Sequence, residues 1–303
     1  MRVIVKSMLS AVALLLALPA CAKETPRQAP ARAANDADPA LWVVKDADTT
    51  VYLFGTIHVL KPGLTWFDEA VRAAFDRSDE VVLELVMPDP AAMQALVMAK
   101  GMTAGGPPLP EQLPADKRAA YDKAVTGLGL PAGAFDRMRP WFAATNLSLM
   151  PLQKLGYDPA NGPETVIADA AKAANKPVTG LETAEQQIGY FAGLSKAAEV
   201  QFLTSTVDEL PKIGTTMATM VRDWAAGKPE ALAEQMNADL KDSPEVAKVL
   251  LTDRNARWAK WVEARMRKPG TVFVAVGAGH LAGGQSVLAV LAKDGVKVEK
   301  VKY

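Results

Sequence analysis

The chain has one cysteine and two histidines among 303 residues. With Cys21 alone, no intramolecular disulfide, thiolate metal cage or cysteine nucleophile in the body of the fold can be built. The one long apolar stretch near the N-terminus, Met8 to Leu18, falls short of the ~20 residues that span a bilayer. There is no Gly-x-Ser-x-Gly elbow, no Walker phosphate loop and no His-Glu-x-x-His zinc helix. Neither sign of charge dominates: lysine plus arginine and aspartate plus glutamate number 34 each, and no basic stripe stands out. That balance excludes nucleic acid as a partner.

What is present begins with an export leader. Arg2 and Lys6 precede the apolar stretch, and Pro19-Ala20-Cys21 follows it, which is the layout of a signal peptide over residues 1–20. Leu18-Pro19-Ala20-Cys21 reads as a lipobox, which would make Cys21 the lipidated N-terminus and the only attachment to a membrane. Ala20-Cys21-Ala22 also satisfies the small-x-small rule for ordinary cleavage after Ala22. Both readings export the chain, as a periplasmic protein or a membrane-anchored lipoprotein. Residues 21–39 contain only alanine as an aliphatic type, with prolines and scattered charges, and are expected to form a flexible tether.

Residues 40–303 have the pattern of a single α/β domain: a mixed central sheet with a large helical middle over about 89–268. Leu41–Lys45 and Thr50–Ile57 form a hairpin around Asp46-Ala47-Asp48-Thr49. A helix from the Thr65-Trp66-Phe67-Asp68 start to about Arg77 leads to a strand, Val81–Val86. A short strand at Pro177–Leu181 precedes the Thr183-Ala184-Glu185-Gln186 helix cap. Strand Thr271–Val276, a helix at Gln285–Ala292 and a strand near Val296–Val301 close the pattern.

The two histidines carry the chemical signal. His58 and His280 each stand three residues after a glycine, Gly55 and Gly277, at the exit of an apolar strand. Only 21 of 303 residues are glycine, so the match is informative. Glycine permits a sharp strand exit, and open α/β sheets bind ligands beyond their strand ends. Imidazoles there are placed for metal binding or proton transfer, whereas a lone histidine would more simply cap a loop. Glu84 interrupts a strand covered on both faces, so it requires a salt bridge, hydrogen bonds or a metal. Two imidazoles and this carboxylate would suit zinc, manganese, cobalt or ferrous iron.

Arg254 falls within the apolar stripe Val246, Leu250, Trp258 and Trp261, where it must either pair a buried carboxylate or hold a substrate oxyanion. Its neighbour Asn255 is expected to point elsewhere. Glu182 either reaches the same strand-end cleft or complements the N-terminus of the following helix.

The segments LWVVKDADTTVYLFGTIHVL, VVLELV, VTGLETAEQQ, LLTDRNARWAKW and FVAVGAGHL, in that order, resemble the TraB/GumN family, which includes Tiki-type metalloproteases. The resemblance runs from about Leu41 to Tyr303. It implies a fold related to the erythromycin-esterase-like and ChaN-like proteins, with His58, Glu84 and His280 at the active centre. It also implies cleavage of peptide bonds. Between Asp89 and Leu240 little matches beyond Pro140-Trp141 and the segment near Glu182, and substrate choice is expected to reside there.

Three functions follow. A metal-dependent hydrolase would use a divalent ion (manganese, cobalt or zinc) held by His58, Glu84 and His280, with Arg254 on the oxyanion of a peptide or small ester substrate. A metal-independent, esterase-like hydrolase would use a histidine as general base. A non-enzymatic protein would sequester a peptide along its helical middle. The leader makes the first test: cell fractionation should find the chain outside the cytoplasm, and Cys21→Ala should release it from membranes. A mature wild-type N-terminus at Lys23 would refute lipidation.

Overall fold

The computed structural model describes residues 35–237 and 243–303. The leader, Cys21 and the tether up to residue 34 lie outside the described residues. The rest is a mixed α/β fold built on a six-stranded mixed sheet: β1 (Leu41–Lys45), β2 (Thr49–Thr56), β3 (Glu80–Leu85), β4 (Val178–Glu182), β5 (Gly270–Gly277) and β6 (Glu299–Lys300). Their spatial order is β4-β3-β5-β2-β1-β6. β1 and β2 form the expected hairpin, and β6 pairs antiparallel with β1. β2, β5, β3 and β4 run parallel.

Strand periodicity divides the central residues between two faces. Phe273 and Ala275 of β5 pack with Phe54, Phe75 and Ile167, under helices Glu69–Arg77, Pro163–Ala173 and Ile213–Ala225. Val272, Val274 and Val276 pack oppositely, with Leu53, Trp258, Val262 and Leu291, under helices Asp253–Arg265 and Val287–Lys293. This alternation is what a two-sided sheet demands of β5, where every other side chain must face each layer. Val82 belongs to the second face. Glu84, two residues on, is thereby turned toward the helix that carries Arg254.

A third core lies away from the sheet. Trp141, Leu147, Phe191, Phe202 and Leu250 join helices from the long middle segment. Among the described residues, no helix is long and apolar enough to cross a membrane.

Some boundaries differ from expectation. The first helix among the described residues begins at Glu69, not at Thr65, because the backbone of Thr65 pairs with Asn35 and Ala37. Ala37, placed in the tether by composition, is accordingly buried, and the backbone of Asp38 bonds Ala225. The last strand shortens to Glu299–Lys300.

Gly55 illustrates how tightly the strand ends are held. Its carbonyl accepts a buried hydrogen bond from the Trp224 indole at 2.7 Å. Trp224→Phe would keep most of the packing and strand that acceptor, so the expected loss is about 1–3 kcal/mol in urea unfolding. An unchanged unfolding midpoint would refute the importance of this bond.

Candidate functional site

The parallel register brings distant residues to one edge. Thr56 lies opposite Gly277, Leu83 opposite Ala275, and Leu85 opposite Glu182. The C-terminal ends of β4, β3, β5 and β2 therefore carry Glu182, Glu84, Gly277 to His280, and Thr56 to His58. This is the edge at which open α/β sheets form their sites. The turn Ala278–His280 crosses the end of β2 closely: a Cβ on Gly55 would stand 3.2 Å from Ala278 Cα and Cβ. Gly55 thus keeps the two histidine-bearing segments in contact.

Arg254 ties this edge together. Its Nε–H donates to Glu182 Oε1 at 2.9 Å, and Nη2 donates to Glu84 Oε2 and Glu182 Oε2, each at 2.8 Å. Nη1 donates to Leu250 O at 3.2 Å and faces His280 Nε2 at 3.1 Å. A guanidinium has five N–H donors, and all five are engaged. Of the two roles open to Arg254 in the sequence, the structure contains the carboxylate pairing; no donor is left over for an oxyanion. Glu84 Oε1 accepts from Gly277 N at 2.6 Å, while Gln187 and Tyr190 donate to Glu182 at 3.1 Å each. The guanidinium stays firmly charged: burial opposes the charge, and Glu84 and Glu182 more than compensate.

His280 is buried within this frame. Asn255 Nδ2 donates to Gln285 O at 2.7 Å, which turns Asn255 Oδ1 toward His280 Nδ1, 2.6 Å away. A carboxamide oxygen only accepts, so the network assigns the proton to Nδ1 and leaves the Nε2 lone pair to Arg254. Burial, then the charges of Arg254 and His58, hold His280 well below its ordinary pKa. It is a neutral acceptor. The expectation that Asn255 points elsewhere is corrected here: consecutive residues diverge by about 100° around a helix, yet Arg254 reaches one ring nitrogen of His280 and Asn255 the other.

His58 has a different partner. Its Nδ1 lies 2.5 Å from Glu164 Oε1, and the same oxygen accepts from Thr56 Oγ1. Its Nε2 is buried without a hydrogen-bond partner among the described residues. Burial disfavours the imidazolium, but Glu164, with a smaller contribution from Glu84, raises the His58 pKa above the ordinary value. Burial likewise opposes Glu164 ionisation, and His58 and Thr56 outweigh it, so that carboxyl titrates low. Gly162 permits this contact. It caps helix Pro163–Ala173, and a Cβ there would sit 2.2 Å from His58 O.

Three expected ligands thus divide into two groups. Glu84 and His280 share the Arg254 cluster, whereas His58 bonds Glu164 beside it. Glu84 and the His280 Nε2 atom already accept N–H groups, whereas His58 Nε2 has no hydrogen-bond partner among the described residues. No group of three His, Cys, Asp or Glu side chains among the described residues is arranged to hold a metal. The donor set around Arg254 does not fit a divalent ion.

Glu164 and Asn255 escaped the sequence reading. Gly162-Pro163-Glu164 looks like an ordinary helix start, with proline at N1 and an acid complementing the dipole. Nothing in it signals that the acid faces inward.

The TraB/PrgY/gumN family model matches residues 40–300. A curated zebrafish (Danio rerio) protein named Metalloprotease TIKI1 is 24% identical over 314 residues, covering 88% of this chain and 63% of that protein. Metalloprotease TIKI2 of the same organism is 25% identical, with 88% and 61% covered. The Escherichia coli protein named Uncharacterized protein YbaP is 29% identical over 160 residues, 52% of this chain and 57% of that protein. The chain therefore spans less than two thirds of the length of these relatives. No solved structure matches it.

The two histidines should shape stability in opposite ways. His280, depressed in the fold, contributes stability above about pH 6.5 that is lost as pH falls below that value. His58, raised in the fold, contributes stability below about pH 6.5 that is lost as pH rises through its folded value. Urea midpoints measured from roughly pH 5 to 9 should lose the acid flank in His280→Gln and the alkaline flank in His58→Gln. Parallel curves for wild type and both variants would contradict these assignments.

Proposed function

The chain belongs to the TraB/PrgY/gumN family, and on that premise we propose that it is an exported hydrolase of peptide bonds whose working base is His58. The observation that carries the reading is the His58 Nε2 atom, buried and unpartnered on an imidazole whose Nδ1 is held by Glu164. The names of the zebrafish relatives favour peptide bonds as substrate. The leader read in the sequence supports export.

In this mechanism the carbonyl of the scissile bond enters beside His58. Neutral His58 accepts a proton from water at Nε2 while the water oxygen attacks the carbonyl carbon. Glu164 accepts the Nδ1–H hydrogen bond throughout, fixing the tautomer and stabilising the imidazolium that forms. The C–N bond then breaks, and Nε2–H protonates the departing amine. The Arg254 cluster positions the strand ends that frame the reaction, and neutral His280 serves that frame without exchanging a proton.

His58→Ala should lower kcat/KM on a fluorogenic peptide library by about 10²–10⁴-fold. Glu164→Gln should fall within the same range. Because His58 must be neutral to act, kcat/KM should rise with pH through a value above about 6.5. Glu164→Gln should move that break downward, since the carboxylate that raises the His58 pKa is gone. The relatives' names support a rival, metal-dependent reading. If EDTA abolishes hydrolysis, manganese, cobalt or zinc restores it and Glu164→Gln is silent, that rival replaces this one.

A further inference from the structure

The buried cluster at the ends of β3, β4 and β5 is complete in both charge and hydrogen bonds. Glu84 and Glu182 supply two carboxylates, each under a tenth exposed. Arg254 supplies one guanidinium, and half-exposed Arg257 stands 3.7 Å from Glu182 Oε1. Two negative charges thus face two positive ones. Tyr190 OH, which donates to Glu182, in turn accepts from Arg257 at 2.8 Å, so the cluster is bonded out to the surface.

The spacing matters as much as the sum. The acceptors stand 2.8 to 3.2 Å from the guanidinium nitrogens, the distance of hydrogen bonds. Metal ligation by the same oxygen and nitrogen types needs about 2.0–2.2 Å around one centre. These acceptors surround a planar fork instead, each meeting a different N–H. A divalent ion admitted among them would meet a fixed positive charge and acceptors already bonded to N–H groups.

We infer that the guanidinium of Arg254 is the resident cation of this centre, and that Glu84, Glu182, His280 Nε2 and Leu250 O form a receptor shaped for guanidinium in the place a divalent ion would take. The inference is independent of hydrolysis: it concerns which cation the cluster accepts, and it stands or falls on binding.

Cobalt and alkylguanidinium test it on the full-length, untagged chain. Wild type titrated with CoCl2 should develop no saturable visible absorption band that His280→Gln removes. Arg254→Ala removes the cation and leaves its receptor. Millimolar ethylguanidinium should then raise the Tm of that variant by several degrees, with no effect on wild type, and CoCl2 should not. If Arg254→Ala fails to fold alone, refolding yield with ethylguanidinium against yield with CoCl2 answers the same question. A His280-dependent cobalt band in wild type would overturn the inference. So would restoration of Arg254→Ala by CoCl2 where ethylguanidinium fails.

Discussion

Two carboxylates at the ends of adjacent strands, both out of water, meet a single buried guanidinium that lies between them. Everything else at the sheet edge is arranged around that ion cluster. Glu84 bonds the backbone of Gly277 and so holds the turn bearing His280. Glu182 collects Gln187 and Tyr190 from the following helix. The Arg254 side chain reaches back to Leu250 and across to His280. Removing one member of such a cluster leaves an uncompensated buried charge, a loss of about 3–5 kcal/mol. The cluster therefore acts as a rigid end-plate for three parallel strands, β3, β4 and β5.

The matched histidines show how surroundings divide equivalent residues. Both follow Gly-x-x at parallel strand ends, and the strands that deliver them are direct neighbours. One imidazole meets a guanidinium and a carboxamide and is held neutral. The other meets a carboxylate and is biased toward its charged form. The difference lies entirely in which helix covers each: Asp253–Arg265 over His280, Pro163–Ala173 against His58. A proton-transfer role fits only the histidine with a free nitrogen.

Much of this was legible in the residues. The hairpin, the buried run around Glu84, and the strand before His280 announced themselves by composition and period. Arg254 stood out as a charge in an apolar stripe. The Thr183 to Gln186 capping box forms as its spacing required. What could not be read was pairing across distance. Glu164 meets His58 because Gly162 lets a helix start press on a backbone carbonyl more than a hundred residues away in sequence. Asn255 meets His280 across 25 positions of sequence, a pairing that no periodicity encodes. The three expected ligands divide between two networks for a related reason. Residue types told which donors were available and said nothing of which hydrogens had already claimed them.

The stretch before Arg254 departs from ideal helix geometry. Lys248–Thr252 forms a π-helical turn; Val246 before it and Leu250 within it pack in the outlying helical core, whereas Trp258 and Val262 beyond it pack on the sheet. An extra residue in a turn changes the angular phase of everything beyond it by about 100°. The π turn is thus a phase joint between two cores that would otherwise demand incompatible rotations of one helix. Arg254 stands just past the joint, so its aim at the strand ends depends on the residue count of that turn as much as on its own side chain. Loss of a single residue there, even one facing solvent, would force either the outlying core or the guanidinium out of alignment.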